Sequence, residues 1–287
     1  MSAPVAAVLP DLDEWIAGGE VSTFDQHRIF YRQDGPADGR PIILLHGFPT
    51  SSHDWAGVVP ALTGGGHRVT TLDFLGFGAS DKPRGHDYSI REQADIVERL
   101  HEHLGVETTA MVAHDYGVSV AQELLARDSK RFTAMTWLNG GIYPDLHRPI
   151  TIQKLLHHRR IGPVLGRLSS ERTFRMAMRK ITERPIGHAD LHAMWRSVSS
   201  NGGTRVQTAL LSYIDERKAH ADRWTRALES YPGPTTFIWG PDDPISGGHV
   251  LPRISERVPD ARLIVLDGVG HYPQVEDPDA VAAALLR

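Results

Sequence analysis

The chain has 287 residues, of which 40% are hydrophobic and 23% are charged, and its formal net charge is −4. This is enough for one large domain or for a domain with an insertion, and the charge gives no reason to expect a nucleic acid or an anionic membrane as partner. The sequence contains no cysteine, which excludes disulfides, a thiol nucleophile and thiolate metal sites.

The N-terminal residues, Met1 to Pro10, have no basic region, and their apolar run is too short for a secretory signal. No stretch of the sequence approaches the length that a membrane-spanning helix needs. We therefore expect a cytoplasmic protein.

Alternating residues in Glu20–Arg32 predict an antiparallel edge hairpin. Further along, short apolar runs bounded by Gly or Asp predict buried strands, with helical patterns such as Ile90–Leu104 and Val118–Arg127 between them. This alternation predicts an α/β fold with a mostly parallel central sheet flanked by helices. The predicted strands are Pro41–His46, Arg68–Leu72, Thr109–Ala113, Thr133–Leu138, Thr235–Trp239 and Arg262–Leu266.

The alternation stops between about Gly140 and Tyr231, where Arg, His and Leu recur at helical spacing and no buried strand is evident. The simplest interpretation is a helical cap inserted into the α/β core. We therefore expect three segments: residues 1–140 as the first part of the core, 141–231 as the cap, and 232–287 as the second part of the core.

Asp115 lies between an apolar strand-like run and a helical run, with the small residues Ala113 and Gly117 two positions away on either side. Small residues at these positions are typical of a nucleophile elbow, a tight turn from strand to helix. The helix N-terminus there favours an ionised carboxylate, which can attack a saturated carbon and form an ester. The alternative is that Asp115 only caps the helix.

An aspartyl ester must be hydrolysed by activated water, which needs a general base and a group that orients the base. His271 follows the last predicted strand on a Gly-rich loop, and Asp242 and Asp243 follow the strand before it. The chain order of nucleophile, acid and histidine is that of the α/β-hydrolases.

The chain resembles the α/β-hydrolase superfamily, in particular its epoxide hydrolase and haloalkane dehalogenase branch, and within that branch it is similar to the mesoderm-specific transcript protein group. The resemblance covers roughly residues 20 to 285. The motifs that carry it are His46–Pro49, Asp73–Ser80, His114–Gly117 and Gly270–Pro273, together with Asn139–Pro144, His147–Pro149, Ala121–Leu125 and His271–Pro278.

The resemblance implies that the acid of the triad is Asp243, because members of the family place it three residues after the Gly that ends the strand. It also implies that the backbone N–H groups of Phe48 and Tyr116 form an oxyanion hole. No metal or organic cofactor is implied. Dehalogenases of this branch usually place Trp after the nucleophile and Asn in the His-Gly-x-Pro loop, where this chain has Tyr116 and Phe48.

Tyr213 is similar to the cap tyrosine that protonates the leaving oxygen in epoxide hydrolases, although it could equally be a helix residue facing the core. The first half of the predicted cap has no second tyrosine, so His157 or His158 could serve in its place. Haloacetate dehalogenases use a cap His with Trp and Tyr, which keeps that activity open. We further expect His46, Trp55 and Trp195 at the substrate.

The sequence therefore predicts a hydrolase that forms a covalent ester on Asp115, with epoxide hydrolysis to a diol as the first expectation. The expected substrate is a small apolar epoxide or halide, with no nucleic acid or membrane partner. The alternatives are a haloalkane or haloacetate dehalogenase and, in a different class, a non-catalytic ligand-binding protein on the same scaffold. The sequence does not indicate the oligomeric state.

Overall fold

The computed structural model of the chain describes residues 9–287. Most of the N-terminal segment for which we expected no secretory signal therefore lies outside the described residues. Within residues 9–287 no helix is long and apolar enough to cross a membrane.

Eight strands of the described part of the chain form one sheet, and their bounds lie within about two residues of the runs that the sequence predicts. The order across the sheet is β1-β2-β4-β3-β5-β6-β7-β8, with β1 and β2 antiparallel to their neighbours and all other pairs parallel. The predicted α/β class and edge hairpin are confirmed. The strands are β1 (Glu20–Phe24), β2 (His27–Asp34), β3 (Arg40–Leu45), β4 (His67–Leu72), β5 (Thr109–His114), β6 (Phe132–Leu138), β7 (Thr235–Trp239) and β8 (Arg262–Val265).

Helices cover both faces of the sheet, and short 3-10 turns join several of the elements. The helices are α1 (Leu12–Ala17), α2 (Val59–Gly64), α3 (Ile90–His103), α4 (Tyr116–Arg127), α5 (Thr151–His157), α6 (Gly162–Arg167), α7 (Glu171–Met178), α8 (His188–Ser199), α9 (Gln207–Leu210), α10 (Tyr213–Ala219), α11 (Ala221–Glu229), α12 (Leu251–Arg257), α13 (Pro273–Glu276) and α14 (Pro278–Leu285).

The central strand β3 shows why the sheet is buried on both faces. Its side chains alternate, so Ile43 and Leu45 belong to one apolar cluster, while Ile42 and Leu44 belong to a second cluster on the opposite face. All the side chains of such a continuous apolar run are therefore buried only when helices cover both faces of the sheet.

The described residues 139–234, between β6 and β7, contain helices and loops but no strand. We call this part of the chain the helical segment. The parallel strands β3, β5, β6, β7 and β8 end at the same edge of the sheet, and the loops that follow them bring the candidate site residues together.

Candidate active site

The turn from β5 into α4 places Asp115 in a strained backbone conformation, with φ 45° and ψ −104°. Non-glycine residues rarely adopt a positive φ, and such strain concentrates at functional sites. The turn fits only if its neighbours are small. A Cβ atom on Gly117 would lie 2.8 Å from the His46 carbonyl oxygen, and one on Gly47 would lie 2.8 Å from the Asp115 Cβ.

The two oxygens of the Asp115 carboxylate have different surroundings. Oδ1 accepts a hydrogen bond of 2.8 Å from the backbone N–H of Phe48, and Oδ2 lies 3.5 Å from Nε2 of His271. No hydrogen bond joins the Tyr116 N–H to this carboxylate within residues 9–287. Of the two predicted oxyanion-hole donors, the Phe48 N–H therefore contacts the Asp115 carboxylate and the Tyr116 N–H does not.

His271 bonds through its other ring nitrogen to Asp243, with 2.8 Å between Nδ1 and Oδ2. The side chain of Asp243 also accepts hydrogen bonds from the Ile245 N–H at 2.7 Å and from the Ser246 hydroxyl at 2.8 Å. Asp242 is exposed and accepts a bond from the Gly268 N–H, as a turn residue does. The structure thus places Asp115, His271 and Asp243 in one continuous chain of contacts.

These contacts set the charges of the three groups. Burial acts to raise the pKa of Asp115, but the hydrogen bond and the charge of His271 outweigh it and hold that pKa well below its usual range. Burial acts to lower the pKa of His271, but the charge of Asp243 and the bonds to both carboxylates raise it. At neutral pH the resting site therefore holds two carboxylates around an imidazolium.

Three buried side chains that sequence reasoning did not assign hold this arrangement in place. Asn139, which follows β6, donates through Nδ2 to Asp243 at 3.1 Å and to the Gly240 carbonyl at 2.8 Å. His114 donates from Nε2 to the His271 carbonyl at 2.7 Å, and the Gln274 amide donates to Nδ1 of His114 at 3.0 Å. Burial lowers the pKa of His114 to about 4, so its ring stays neutral.

Glu276 ties the His271 loop to the helical segment. Its Oε2 accepts hydrogen bonds from the N–H groups of Gly270, Glu183 and Arg184 at 2.8 to 2.9 Å, and its Oε1 accepts one from Tyr272 at 3.0 Å. The carboxylate is 2% exposed, so it replaces water as the partner of four backbone donors.

We expect Glu276→Gln to lower the free energy of unfolding by about 1–3 kcal/mol, because an amide turns one of the two acceptors into a donor that faces an N–H group. Urea unfolding of the variant measures this loss. The exposed Glu256→Gln variant is the matched control and should change the free energy by less than about 0.5 kcal/mol. Equal stabilities of the two variants would contradict the role of Glu276.

A pocket of about 110 Å³ opens above Asp115 and His271. Its walls are mostly apolar and come from the loops after β3 and β7 and from the helical segment. Trp195 lines the pocket, as the sequence predicts, and so do the amides of Gln153 and Gln207, which sequence reasoning missed. The buried Oε1 of Gln153 has no hydrogen-bond partner within residues 9–287. The apolar wall includes Phe48, Leu156, Phe174, Met178, Ile181 and Ile245.

Four residues that we expected at the substrate lie outside this pocket. The ring nitrogens of His46 contact the Gly47 carbonyl at 2.9 Å and the Phe74 N–H at 3.1 Å, and Trp55 is fully buried in the core. His157 pairs with the exposed Asp215 at 2.9 Å, and His158 accepts backbone hydrogen bonds at the surface. The sequence pattern could not distinguish these local partners from a ligand.

Tyr213 is fully buried beside Tyr116, with ring centroids 4.9 Å apart, and does not line the pocket. Its hydroxyl has no hydrogen-bond partner in the described part of the chain. Burial and the charge of Asp115 both raise the pKa of Tyr213, so the phenol keeps its proton. Arg217 packs against the Tyr213 ring, with 5.2 Å from Cζ to the ring centroid.

Arg217 is 1% exposed, and its Nε and Nη1 atoms have no hydrogen-bond partner within residues 9–287. Beside it, both ring nitrogens of His147 are also buried without a partner in the same range. Burial and the charge of Arg217 lower the pKa of His147 to about 3, whereas the charge of Asp115 acts to raise it. A buried cation without an acidic partner is costly, so this cluster suits an anion.

In the described part of the chain one group has the spacing of metal ligands. His27, His86 and Glu92 place their ligand atoms within 4.8 Å of one another, and none of the three lines the pocket. His86 already contacts the Glu92 carboxylate at 2.7 Å.

Residues 40–278 match the family with the alpha/beta hydrolase fold. The mesoderm-specific transcript homolog protein of Bos taurus is 42% identical over 96% of this chain and 87% of its own length. A haloalkane dehalogenase of Mycolicibacterium paratuberculosis is 32% identical over 82% of this chain and 77% of its own. A solved alpha/beta hydrolase fold protein from Burkholderia ambifaria aligns with a TM-score of 0.81 and 22% identity, over 97% of this chain and 98% of that one. The predicted family resemblance is confirmed.

Proposed function

The chain belongs to the alpha/beta hydrolase fold family, and we propose that it opens a small epoxide to a diol through an ester on Asp115. The observation that supports this most is the position of the Asp115 carboxylate at the strained turn. It lines an apolar pocket, accepts the Phe48 N–H of the proposed oxyanion hole and lies beside the His271 ring. A serine at that position would serve acyl transfer, whereas a carboxylate serves attack on a saturated carbon.

In the proposed first step, Oδ2 of Asp115 attacks an epoxide carbon and the bond from that carbon to the epoxide oxygen breaks. The oxygen leaves as an alkoxide, which must take up a proton. We propose Tyr213 as the donor, supported by its protonated hydroxyl, which has no partner in the described part of the chain. Because Tyr213 is buried and does not line the pocket, this role requires the side chain or its neighbours to move when substrate binds.

In the proposed second step, His271 removes a proton from water, which attacks Cγ of the ester. The oxyanion forms on Oδ1, where the Phe48 N–H already points. When it collapses, the diol departs with Oδ2, which takes the proton that His271 removed from water. The second proton of that water, released as the carboxylate re-forms, returns to Tyr213. Ester formation removes the negative charge of Asp115, one of the two charges that raise the pKa of His271. The imidazolium of the resting site therefore becomes a base when the ester forms.

The two steps should depend on pH in different ways. Because the pKa of Asp115 is lowered, the attacking carboxylate persists as the pH falls, and ester formation should stay fast down to about pH 4. Ester hydrolysis should accelerate as the pH rises, since it needs neutral His271. Single-turnover kinetics, with enzyme in excess over substrate, measures the rates of ester formation and ester hydrolysis separately. A hydrolysis rate that falls from pH 5 to pH 8 would contradict the base role.

We also propose that the helical segment is a cap over the site. Its residues Gln153, Trp195 and Gln207 line the pocket, and the N–H of His271 donates to the Ile181 carbonyl at 2.7 Å. In this proposal the core supplies the nucleophile and the base, and the helical segment supplies the proton donor Tyr213 and much of the surface that selects the substrate.

A second candidate is a dehalogenase, and the cluster around Arg217 favours it. Within residues 9–287 the Nε and Nη1 atoms of Arg217 have no hydrogen-bond partner, and its neighbour His147 is close enough to Asp115 to be affected by that charge. A guanidinium so placed is suited to hold a halide or the carboxylate of a haloacid. The relative named as a haloalkane dehalogenase is consistent with this alternative.

The experiment that tests the proposed function incubates the protein with matched series of epoxides, haloalkanes and haloacids. The proposal expects diol formation and no halide release, with Arg217→Lys retaining most of the epoxide activity. Halide release that is lost in Arg217→Leu would instead support the dehalogenase. Tight binding of the compounds without turnover would support a ligand-binding protein and reject both hydrolytic functions.

A further inference from the structure

Three consecutive helices, α5, α6 and α7, expose large apolar side chains to solvent. Leu168 is 71% exposed, Val164 is 55% exposed and Met176 is 50% exposed. We call the full set the apolar patch, and it comprises Ile152, Leu155, Ile161, Val164, Leu168 and Met176. Large exposed apolar side chains that are concentrated in one stretch of a globular protein indicate contact with another apolar phase or molecule.

The charge of the same segment is opposite to that of the whole chain. Residues 151–180 contain eight Lys or Arg residues and one acidic residue, Glu171, a formal charge of +7, whereas the complete chain carries −4. Arg175 pairs with Glu171. The other seven cations are exposed and form no ion pair within residues 9–287, namely Lys154, Arg159, Arg160, Arg167, Arg172, Arg179 and Lys180.

The apolar patch continues into the pocket. Ile152 belongs to the patch and also lines the pocket, and Ser169, the neighbour of Leu168, lines it as well. The exposed Thr173 on α7 is a third residue of the pocket wall. The entrance to the candidate active site is therefore bordered by the same apolar and basic helices.

We propose that α5, α6 and α7 form a surface that docks onto an anionic lipid bilayer. Short helices with Leu, Ile and Val on one side and Lys and Arg around them lie in the plane of a membrane interface, with the apolar side chains in the acyl boundary and the cations at the headgroups. An apolar substrate dissolved in the bilayer then enters the pocket beside Ile152 without crossing water.

The charge argues for a lipid surface over the other possible occupants. A second copy of the chain would bring the same +7 segment against itself, which is repulsive. A nucleic acid would contact the cations but would leave the apolar side chains facing water. Anionic lipid satisfies both features at once.

Vesicle co-sedimentation of the complete chain tests this proposal without any enzymatic readout. The protein should sediment with phosphatidylcholine vesicles that contain phosphatidylserine, weakly with pure phosphatidylcholine, and less as salt rises above about 0.1 M. The double variant Val164→Asp/Leu168→Asp and the double variant Arg159→Glu/Arg160→Glu should each bind at least about tenfold more weakly. Leu286→Asp changes an exposed leucine elsewhere, at 42% exposure, and should bind like the wild type.

Three results would overturn the proposal. The first is equal binding to both kinds of vesicle, and the second is binding that neither double variant changes. The third is a wild-type dimer in light scattering that Val164→Asp/Leu168→Asp converts to a monomer while vesicle binding is absent, which would make the apolar patch an interface between copies. Circular dichroism of all variants confirms that each is folded before the comparison is made.

Discussion

Replacing Asp115 with Asn is expected to reduce kcat for the proposed reaction by about 10⁴-fold or more, because the nucleophile itself is removed. Asn is the substitution that changes the structure least while removing the negative charge. Its side chain has the same shape, can accept the Phe48 N–H, and tolerates a positive φ better than most residues. The loss can then be assigned to the carboxylate and not to the fold.

The matched control is Asp242→Asn, which changes an exposed acid whose side chain accepts the Gly268 N–H. Its kcat should stay within about twofold of the wild type. Initial rates of diol formation, with thermal unfolding measured on the same samples, give both quantities. Undiminished turnover by Asp115→Asn would mean that water attacks the substrate directly or that another group is the nucleophile.

Replacing His271 with Gln is expected to stop the cycle after the first step. Asp115 can still attack the substrate, but no base activates the water that must cleave the ester. Steady-state turnover should fall by about 10⁴-fold or more, while one equivalent of substrate per site is still consumed. Intact-protein mass spectrometry should show an adduct equal to the whole epoxide, because opening the ring expels no atom.

A halide substrate would give a smaller adduct, since the halide departs, so the same spectrum distinguishes the two candidate reactions. The control is His192→Gln on the surface of α8, where the ring contacts Glu171 and does not line the pocket. That variant should turn over normally without accumulating an adduct. A His271→Gln variant that turned over at the wild-type rate would remove His271 from the mechanism.

The strands and the turn at Asp115 could be predicted because their signals are local. A buried parallel strand is recognised in the sequence as a continuous apolar run. The close packing of the turn at Asp115 requires the glycines at positions 47 and 117. The chain order of Asp115, Asp243 and His271 then follows the order of the strands. These features depend on residues near one another in sequence.

The supporting groups could not be predicted, because their partners are distant in sequence. Asn139 acts on Asp243 from a different strand end, and Glu276 binds N–H groups of the helical segment more than ninety residues earlier. Nothing in a single sequence distinguishes these side chains from ordinary polar residues. The same limit explains His157 and His158, which had a suitable chemistry but contact surface groups instead of the pocket.

The total charge gives no view of how charge is distributed along the chain. A net charge of −4 gave no reason to expect an anionic membrane, yet it averages a strongly basic stretch with a more acidic remainder. The exposure of the apolar side chains in the same stretch is visible only in the structure, and together with the basic charge it supports the proposed lipid-docking surface.

A single turnover in ¹⁸O-labelled water, with enzyme in excess over epoxide, tests the central claim most directly. The account predicts that the label enters the Asp115 carboxylate and not the diol, because water attacks Cγ and the product keeps the original Oδ2. Mass spectrometry of the peptide that contains Asp115, and of the diol, measures how much ¹⁸O each of them carries. Label in the diol and none in Asp115 would show direct attack by water and would contradict the covalent ester.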